Sequence, residues 1–303
     1  MISQLIDFIV FLGKLPYHIL GLDFTSAPRR AKPITVAHGV LDASGCLHIE
    51  QVEALTDFAA FESVLHRPGP WLGGFDFPFG LPREAVTDLR LPTTWDGLVR
   101  HCASLGKPGF RALLDGHRQA RPMGNRYAHR ATDQPAGSHS PLKLVNPPVG
   151  LMFLEGAPRL LAAGCDVPGL HAGDPTRVAL EAYPGLLARQ LIGRTSYKSD
   201  DKARQTPARR AAREQLLAQL LHHEPATAKT PMGDSPSVPG QPALPALQLT
   251  PALHQRMLED GSGDVLDAVL CALQAVSVAH LPRYGMPAQT DAVEGWIIGA
   301  QPA

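Results

Sequence analysis

The sequence predicts an α/β domain built on a mixed sheet, and three observations carry that reading. Short apolar runs bounded by turn residues recur in the first quarter of the chain, as strands do. A long apolar stretch near the end, Gly263 to Leu281, has the length of a buried helix. Two of the early runs and the head of that helix each hold aspartate in apolar surroundings. With 303 residues and a 44% hydrophobic fraction, the chain has enough apolar material for one large domain or two small ones.

Ile19 to Thr25 reads as the first strand, broken by Asp23 near its C-terminal end. Ala31 to Leu41 reads as the second, and Cys46 to Val52 as the third after the turn signal Asp42-Ala43-Ser44-Gly45. Together they predict an antiparallel meander. Ala54 to His66 has helical spacing and is stopped by Pro68-Gly69-Pro70. Trp71 to Phe77 is a fourth strand, apolar except for Asp76. Three strands, a helix and a strand, with a carboxylate on the first and fourth strands, make the front half of a ribonuclease H-like fold.

Residues 79–175 read as a long insertion after the fourth strand, rich in Pro, Gly, Arg and His. Helices are expected at Trp95 to Leu105, Gly109 to Gln119 and Gly150 to Gly164, with a polar binding loop or lid between the second and third. Arg177 to Tyr183 is the fifth strand and carries Glu181. Short and long helices follow at Leu186 to Ile192 and Lys202 to His222. Residues 224–251 hold seven prolines and read as a flexible loop. One or two helical turns over Leu253 to Leu258 precede the long helix, and Val293 to Ile298 reads as an edge strand or docking tail. The expectation is thus a five-stranded sheet, three antiparallel strands and then parallel ones, in a single domain over 19–303. Residues 1–18 form an N-terminal extension with a possible helix.

The chemistry this places together is acidic. An unpaired buried carboxylate costs several kcal/mol, so such a residue calls for a cation, a partner or a task. Strands one and four end side by side in this fold, which puts Asp23 next to Asp76. Asp264 and Asp267, about 60° apart around a helix, point to one side of it, while Leu266, Leu270, Leu273 and Val276 face the core. Carboxylates from separate elements suit Mg²⁺ or Mn²⁺, which prefer hard oxygen ligands, and two such ions can hydrolyse a phosphodiester. Asp23, Asp76, Asp264 and Asp267 are the expected metal ligands, with Glu181 a further catalytic candidate or the partner of an arginine from Arg121 to Arg130. Competing structural roles exist: Asp264 as a helix cap, Asp267 in the first turn, Asp23 and Asp76 as turn formers. Arg126, Arg130, Lys143, Lys198 and Lys202 are candidate substrate-binding cations, and eight basic residues between Arg189 and Arg213 offer a surface for a phosphate backbone.

The motifs GLDFTSAP (21–28), GGFDFPFGLP (73–82), SPLKLVNPPVG (140–150), EAYPG (181–185), SYKSDD (196–201), DVLDAVLCALQA (264–275) and EGWI (294–297) make the chain resemble the domain-of-unknown-function family 429. Its members are described as predicted ribonuclease H-like nucleases. The resemblance implies that fold and carries the candidate acids onto Asp23, Asp76, Glu181, Asp264 and Asp267.

The totals narrow the alternatives. Lys+Arg and Asp+Glu balance at 28 each, so no global field draws the chain to nucleic acid or membrane. Four scattered cysteines give no CxxC pair, so a zinc ribbon or disulfide framework is not expected and a cytoplasmic location is. No stretch reaches the roughly 20 apolar residues of a spanning helix. The leading expectation is a metal-dependent nuclease with nucleic acid as its partner. A small-molecule phosphotransferase or ATPase on the same fold is the second, although Gly21 to Pro28 lacks a glycine-rich phosphate hairpin, and a catalytically silent binding module is the third.

Overall fold

The computed structural model describes residues 17–222 and 243–302. The expected N-terminal helix and most of the expected Pro-rich loop lie outside them. Strands β1 (Tyr17–Asp23), β2 (Ile34–Leu41) and β3 (Cys46–Leu55) form the antiparallel meander. Helix α1 (Phe58–Leu65), capped by the Asp57 carboxylate on the Ala60 amide, leads to β4 (Trp71–Asp76). β4 lies parallel to β1, and Asp23 and Asp76 are register partners on the two strands.

The sheet has seven strands rather than five, in the order β5-β6-β4-β1-β2-β3-β7. β6 (Asp174–Glu181) is the expected fifth strand and runs parallel to β4. The two additions are β5 (Cys165–Asp166), beside β6, and β7 (Ala246–Leu249), beside β3. One has two residues and the other lies among prolines, so neither carries a periodic signal; both pairings are parallel, and that of β7 with β3 joins segments far apart in the chain. The tail over Val293 to Ile298 adds no strand. It docks instead: Leu81 donates to the Val293 carbonyl, and Ile298 to that of Glu181.

In residues 79–175 the three expected helices are present, two further short ones join them, and the segment packs against the sheet. It contains α2 (Arg83–Asp88), α3 (Trp95–Ser104), α4 (Gly106–Ala120), α5 (Asp133–Ala136) and α6 (Val149–Ala163). Trp95, Leu98, Phe110, Leu114, Phe153 and Leu160 from this segment are fully buried in one core with Leu20, Leu22 and Phe75 of the sheet. Pro and Gly, which make the stretch look irregular, lie between the helices and also inside them, at Pro108, Gly109 and Gly116 of α4 and Gly150, Gly156 and Pro158 of α6. The result is a packed layer.

The opposite face carries α7 (Pro184–Ile192), α8 (Pro207–Leu221), α9 (Pro251–Glu259) and α10 (Asp264–Val278). A single 3₁₀ turn, Lys202–Arg204, takes the place of the expected start of α8. Every residue of α10 is buried, so it is a central helix with no solvent face. It lies directly on β1 and β4 because those strands present glycine to it. A Cβ on Gly21 would collide with the Ala268 carbonyl and Ala272 amide, and one on Gly74 with the Cys271 carbonyl. Backbone meets backbone there, and this close approach brings the head of α10 to the C-terminal ends of β1 and β4.

Candidate functional site

The pleat of the sheet decides which acids meet. Along β1, Leu20 and Leu22 belong to the core on one face and Ile19 to the other, the α10 side, where Gly21 meets α10. Asp23 continues the Ile19–Gly21 series toward α10. On β4, Trp71 and Phe75 belong to the first face, while Leu72, Gly74 and Asp76 form the series facing α10. β6 is in step with β4, but its acid falls one residue earlier, on the partner of Phe75. Val178 and Leu180 face α10, so Glu181 points to the other side.

Asp23, Asp76, Asp264 and Asp267 therefore share one electrostatic site at the ends of β1, β4 and α10. Burial raises the Asp23 carboxyl well above the carboxylate range, with Asp264, Asp267 and Asp76 adding to it and Lys198 opposing. Asp76 is pushed up to about 7 by burial, opposed by Lys198 and reinforced by Asp267 and Glu181. Asp264 is raised by burial against the pull of Lys32. These are buried like charges, each disfavouring the ionisation of the others.

Two lysines answer them. Lys32 donates to Asp264 Oδ1 at 2.8 Å and to Asp200 Oδ1 at 2.7 Å. Asp267, fully buried, accepts from the Tyr197 hydroxyl at 2.6 Å and from the Lys198 ammonium. Burial would lower Lys198, but Asp267, Tyr197 and Asp23 outweigh it and hold the ammonium above its ordinary value. Both lysine side chains keep some exposure, 28% for Lys32 and 40% for Lys198. With Lys32 shared between Asp264 and Asp200, carboxyl groups outnumber ammonium groups here, and their oxygens are the hard donors that Mg²⁺ or Mn²⁺ prefers.

The carboxylates stand apart with ammonium groups among them. Within the described residues, the set of three metal-ligand atoms lying within 4.8 Å of one another is elsewhere: Asp42, Cys46 and His48 on the β2–β3 hairpin. Tyr17 pairs with Leu41 and Asp23 with Thr35, so that hairpin sits at the far end of β1 from Asp23, about 20 Å away at 3.3 Å per residue. Asp42 caps the hairpin turn there, accepting from the Ser44 and Cys46 amides at 2.8 and 3.0 Å.

Glu181 has a different set of partners. Both its oxygens accept from Arg130, at 2.8 and 2.7 Å, and one also accepts from the Phe79 amide at 2.9 Å. Arg130 is itself held by Asp133, through Nε at 3.0 Å and its backbone amide at 2.8 Å. Glu294 supports the loop by accepting from the Arg83 and Ala131 amides at 2.7 and 2.9 Å. All four side chains are buried, and two of them, Arg130 and Glu181, wall a cavity of about 400 Å³ whose other side is formed by Asp23, Asp76, Lys32 and Lys198. The cavity opens at the C-terminal ends of the parallel strands, where ligands bind in α/β sheets.

Of the candidate cations, Arg130 and Lys198 line this cavity. Arg126 and Lys202 are exposed and Lys143 half-buried, and none of the three lines it. Lys32 lines the cavity and Glu294 braces the loop beside it, and neither residue carries a periodic signal in the sequence. Lys32 follows Arg29 and Arg30 in a turn-like stretch, and its partner Asp264 is 232 residues away.

A model of the family described as protein of unknown function (DUF429) matches residues 21–291. The chain belongs to this family. The DUF429 match begins at Gly21, the glycine that admits α10, and takes in all four aspartates, both lysines and the Arg130–Glu181 pair; Glu294 falls just beyond it. No curated protein and no solved structure matches the chain.

Proposed function

We propose that this DUF429 protein is a divalent-metal-dependent phosphodiester hydrolase, a nuclease built on a ribonuclease H-like sheet. The observation that carries the reading is the pairing of Asp23 and Asp76 as register partners at the ends of adjacent parallel strands, with Asp264 and Asp267 delivered to them by α10. The element order, an antiparallel meander followed by a strand parallel to the first, supports the fold assignment.

Asp23, Asp76 and Asp264 are the residues that hold Mg²⁺ or Mn²⁺ in this account. A cation there supplies charge to a phosphoryl oxygen and acidifies a bound water. Asp267 has both oxygens engaged by Tyr197 and Lys198, so its task is to place the Lys198 ammonium. Lys198 and Lys32 reach the cavity with partly exposed heads and are positioned to take up phosphate oxygens. The Arg130–Glu181–Asp133 network acts as a rigid wall, since Glu181 has no free oxygen to offer a metal beside Arg130 and the Phe79 amide. Arg126, Lys143 and Lys202 act only on a substrate that extends beyond the cavity.

A second reading, a phosphotransferase or ATPase acting on a small phosphorylated molecule, is favoured by the cavity volume, which falls in the range of small-ligand sites. One experiment separates them. Purified protein with Mg²⁺ or Mn²⁺ is offered single- and double-stranded DNA, RNA, hybrids, and ATP. The nuclease reading predicts metal-dependent cleavage of a polynucleotide that is lost in Asp23→Asn and Asp76→Asn. Cleavage that survives both substitutions, or turnover of ATP alone, overturns it.

A further inference from the structure

The cavity beside Asp23 is not the only one that reaches Asp76 and Lys198. A second, of about 490 Å³, lies on their other side and is bounded by the N-terminal end of α7 and the loop 193–198. Asp76, Tyr183 and Lys198 line both cavities. A molecule that filled both would pass over the Asp76–Lys198 boundary.

The two cavities differ in charge. The first is lined by four carboxylates, Asp23, Asp76, Glu181 and Asp200, against the three cations Lys32, Arg130 and Lys198. In the second the balance is reversed, with Arg189, Arg194 and Lys198 against Asp76 alone. Arg189 is held in place by its contact with the Ala136 carbonyl and by the Tyr183 ring, whose centroid is 5.3 Å from its guanidinium carbon. Neither contact neutralises it. Arg194 is exposed, and no described residue pairs with its charge. One half is thus acidic, suited to a cation and the phosphate it serves. The other is basic, suited to an anion alone.

We propose that the second cavity is an anion subsite for the phosphate that neighbours the scissile one, so that the preferred substrate carries at least two consecutive phosphodiesters. This rests on the phosphodiesterase reading above. It names the substrate class within that reading as an oligonucleotide-like polyanion and sets aside isolated diesters and phosphomonoesters.

The test compares a fluorescein-labelled trinucleotide, which has two internal phosphodiesters, with the equally labelled dinucleotide, which has one. Binding is measured by anisotropy in EDTA, and turnover separately in Mg²⁺. The subsite predicts that the trinucleotide binds about tenfold more tightly, as one added charge-assisted phosphate contact allows. Arg194→Glu removes that advantage by weakening the trinucleotide about tenfold more than the dinucleotide. Arg194 is exposed, so the variant folds as the parent does. Equal affinity for the two ligands, no measurable binding of either, or equal weakening of both by Arg194→Glu overturns the subsite. The two proposals fail separately. An intact two-phosphate preference without turnover supports the subsite and retires hydrolysis, whereas turnover without the preference retires the subsite alone.

Discussion

Gly21→Ala tests the contact on which the site is built. The added methyl carbon would stand 2.8 Å from the Ala272 side chain while also meeting the Ala268 carbonyl and Ala272 amide. Carbon atoms rest at about 3.5–4.0 Å, so α10 must retreat by roughly 0.7 Å or more at that point. The obstructing atoms are backbone and a helix-fixed Cβ, which cannot rotate away. Overpacking of this type costs about 1–3 kcal/mol, and for a chain of this size each kcal/mol lowers Tm by about 2–4 °C. Gly116→Ala is the control. Gly116 lies exposed in α4 with nothing within 4 Å of an added Cβ, so the substitution should stabilise by about 0.5–1 kcal/mol. Thermal unfolding followed by circular dichroism reads both. Equal Tm for Gly21→Ala and the parent would refute the claim that α10 sits on β1 backbone to backbone, and with it the reason that Asp264 and Asp267 meet Asp23.

Three further outcomes follow from the same geometry. In EDTA, folded Asp76 holds its proton up to about pH 7, whereas the unfolded carboxyl releases it near its ordinary value of 3.8. The folded state therefore binds the extra proton between those values, and this group's contribution to stability falls as pH rises through that window. Asp76→Asn should remove the fall, so its Tm relative to the parent rises from pH 4 to pH 8; a difference that stays flat counts against the raised carboxyl. Arg130→Met leaves Glu181 and Asp133 buried without their cation and should cost about 3–5 kcal/mol in urea unfolding. Adding Glu181→Gln should recover part of that loss, and a purely additive double variant would show that the pair is not coupled. Lys198→Met should weaken binding of an oligonucleotide while leaving Mn²⁺ binding intact, since the ammonium is assigned to phosphate; loss of Mn²⁺ binding instead would move Lys198 into the support of the cation.

The sequence carried the parts of this site that depend on local pattern. Asp23 and Asp76 stood out because each interrupts an apolar strand, and the order of the first four strands follows from turn signals and periodicity. Asp264 and Asp267 were visible as a pair at a helix head. What it did not carry was parity and proximity. Whether Glu181 faces Asp76 or turns away depends on the register of β6 against β4, and a shift of one residue reverses it; only the paired sheet shows that it meets Arg130 instead. Lys32 gave no signal because its partner is distant in the chain. The apolar length of Gly263 to Leu281 marks a buried helix; that its polar residues Asp264, Asp267, Gln274 and Ser277 are buried as well shows only in the packed structure. β7 was hidden by the prolines around it; of the layer formed by α2 to α6, three helices were legible from their spacing, but α2, α5 and the packing of the whole against the sheet were not.

The central claim is that Asp23 and Asp76 jointly hold a divalent cation, and Mn²⁺ titration calorimetry at pH 7 tests it most directly. The account predicts saturable binding to the parent accompanied by proton release, because Asp76 is partly protonated at that pH in the free site. Both Asp23→Asn and Asp76→Asn should abolish it. Unchanged Mn²⁺ affinity in the two variants, or binding to the parent without proton release, would contradict it.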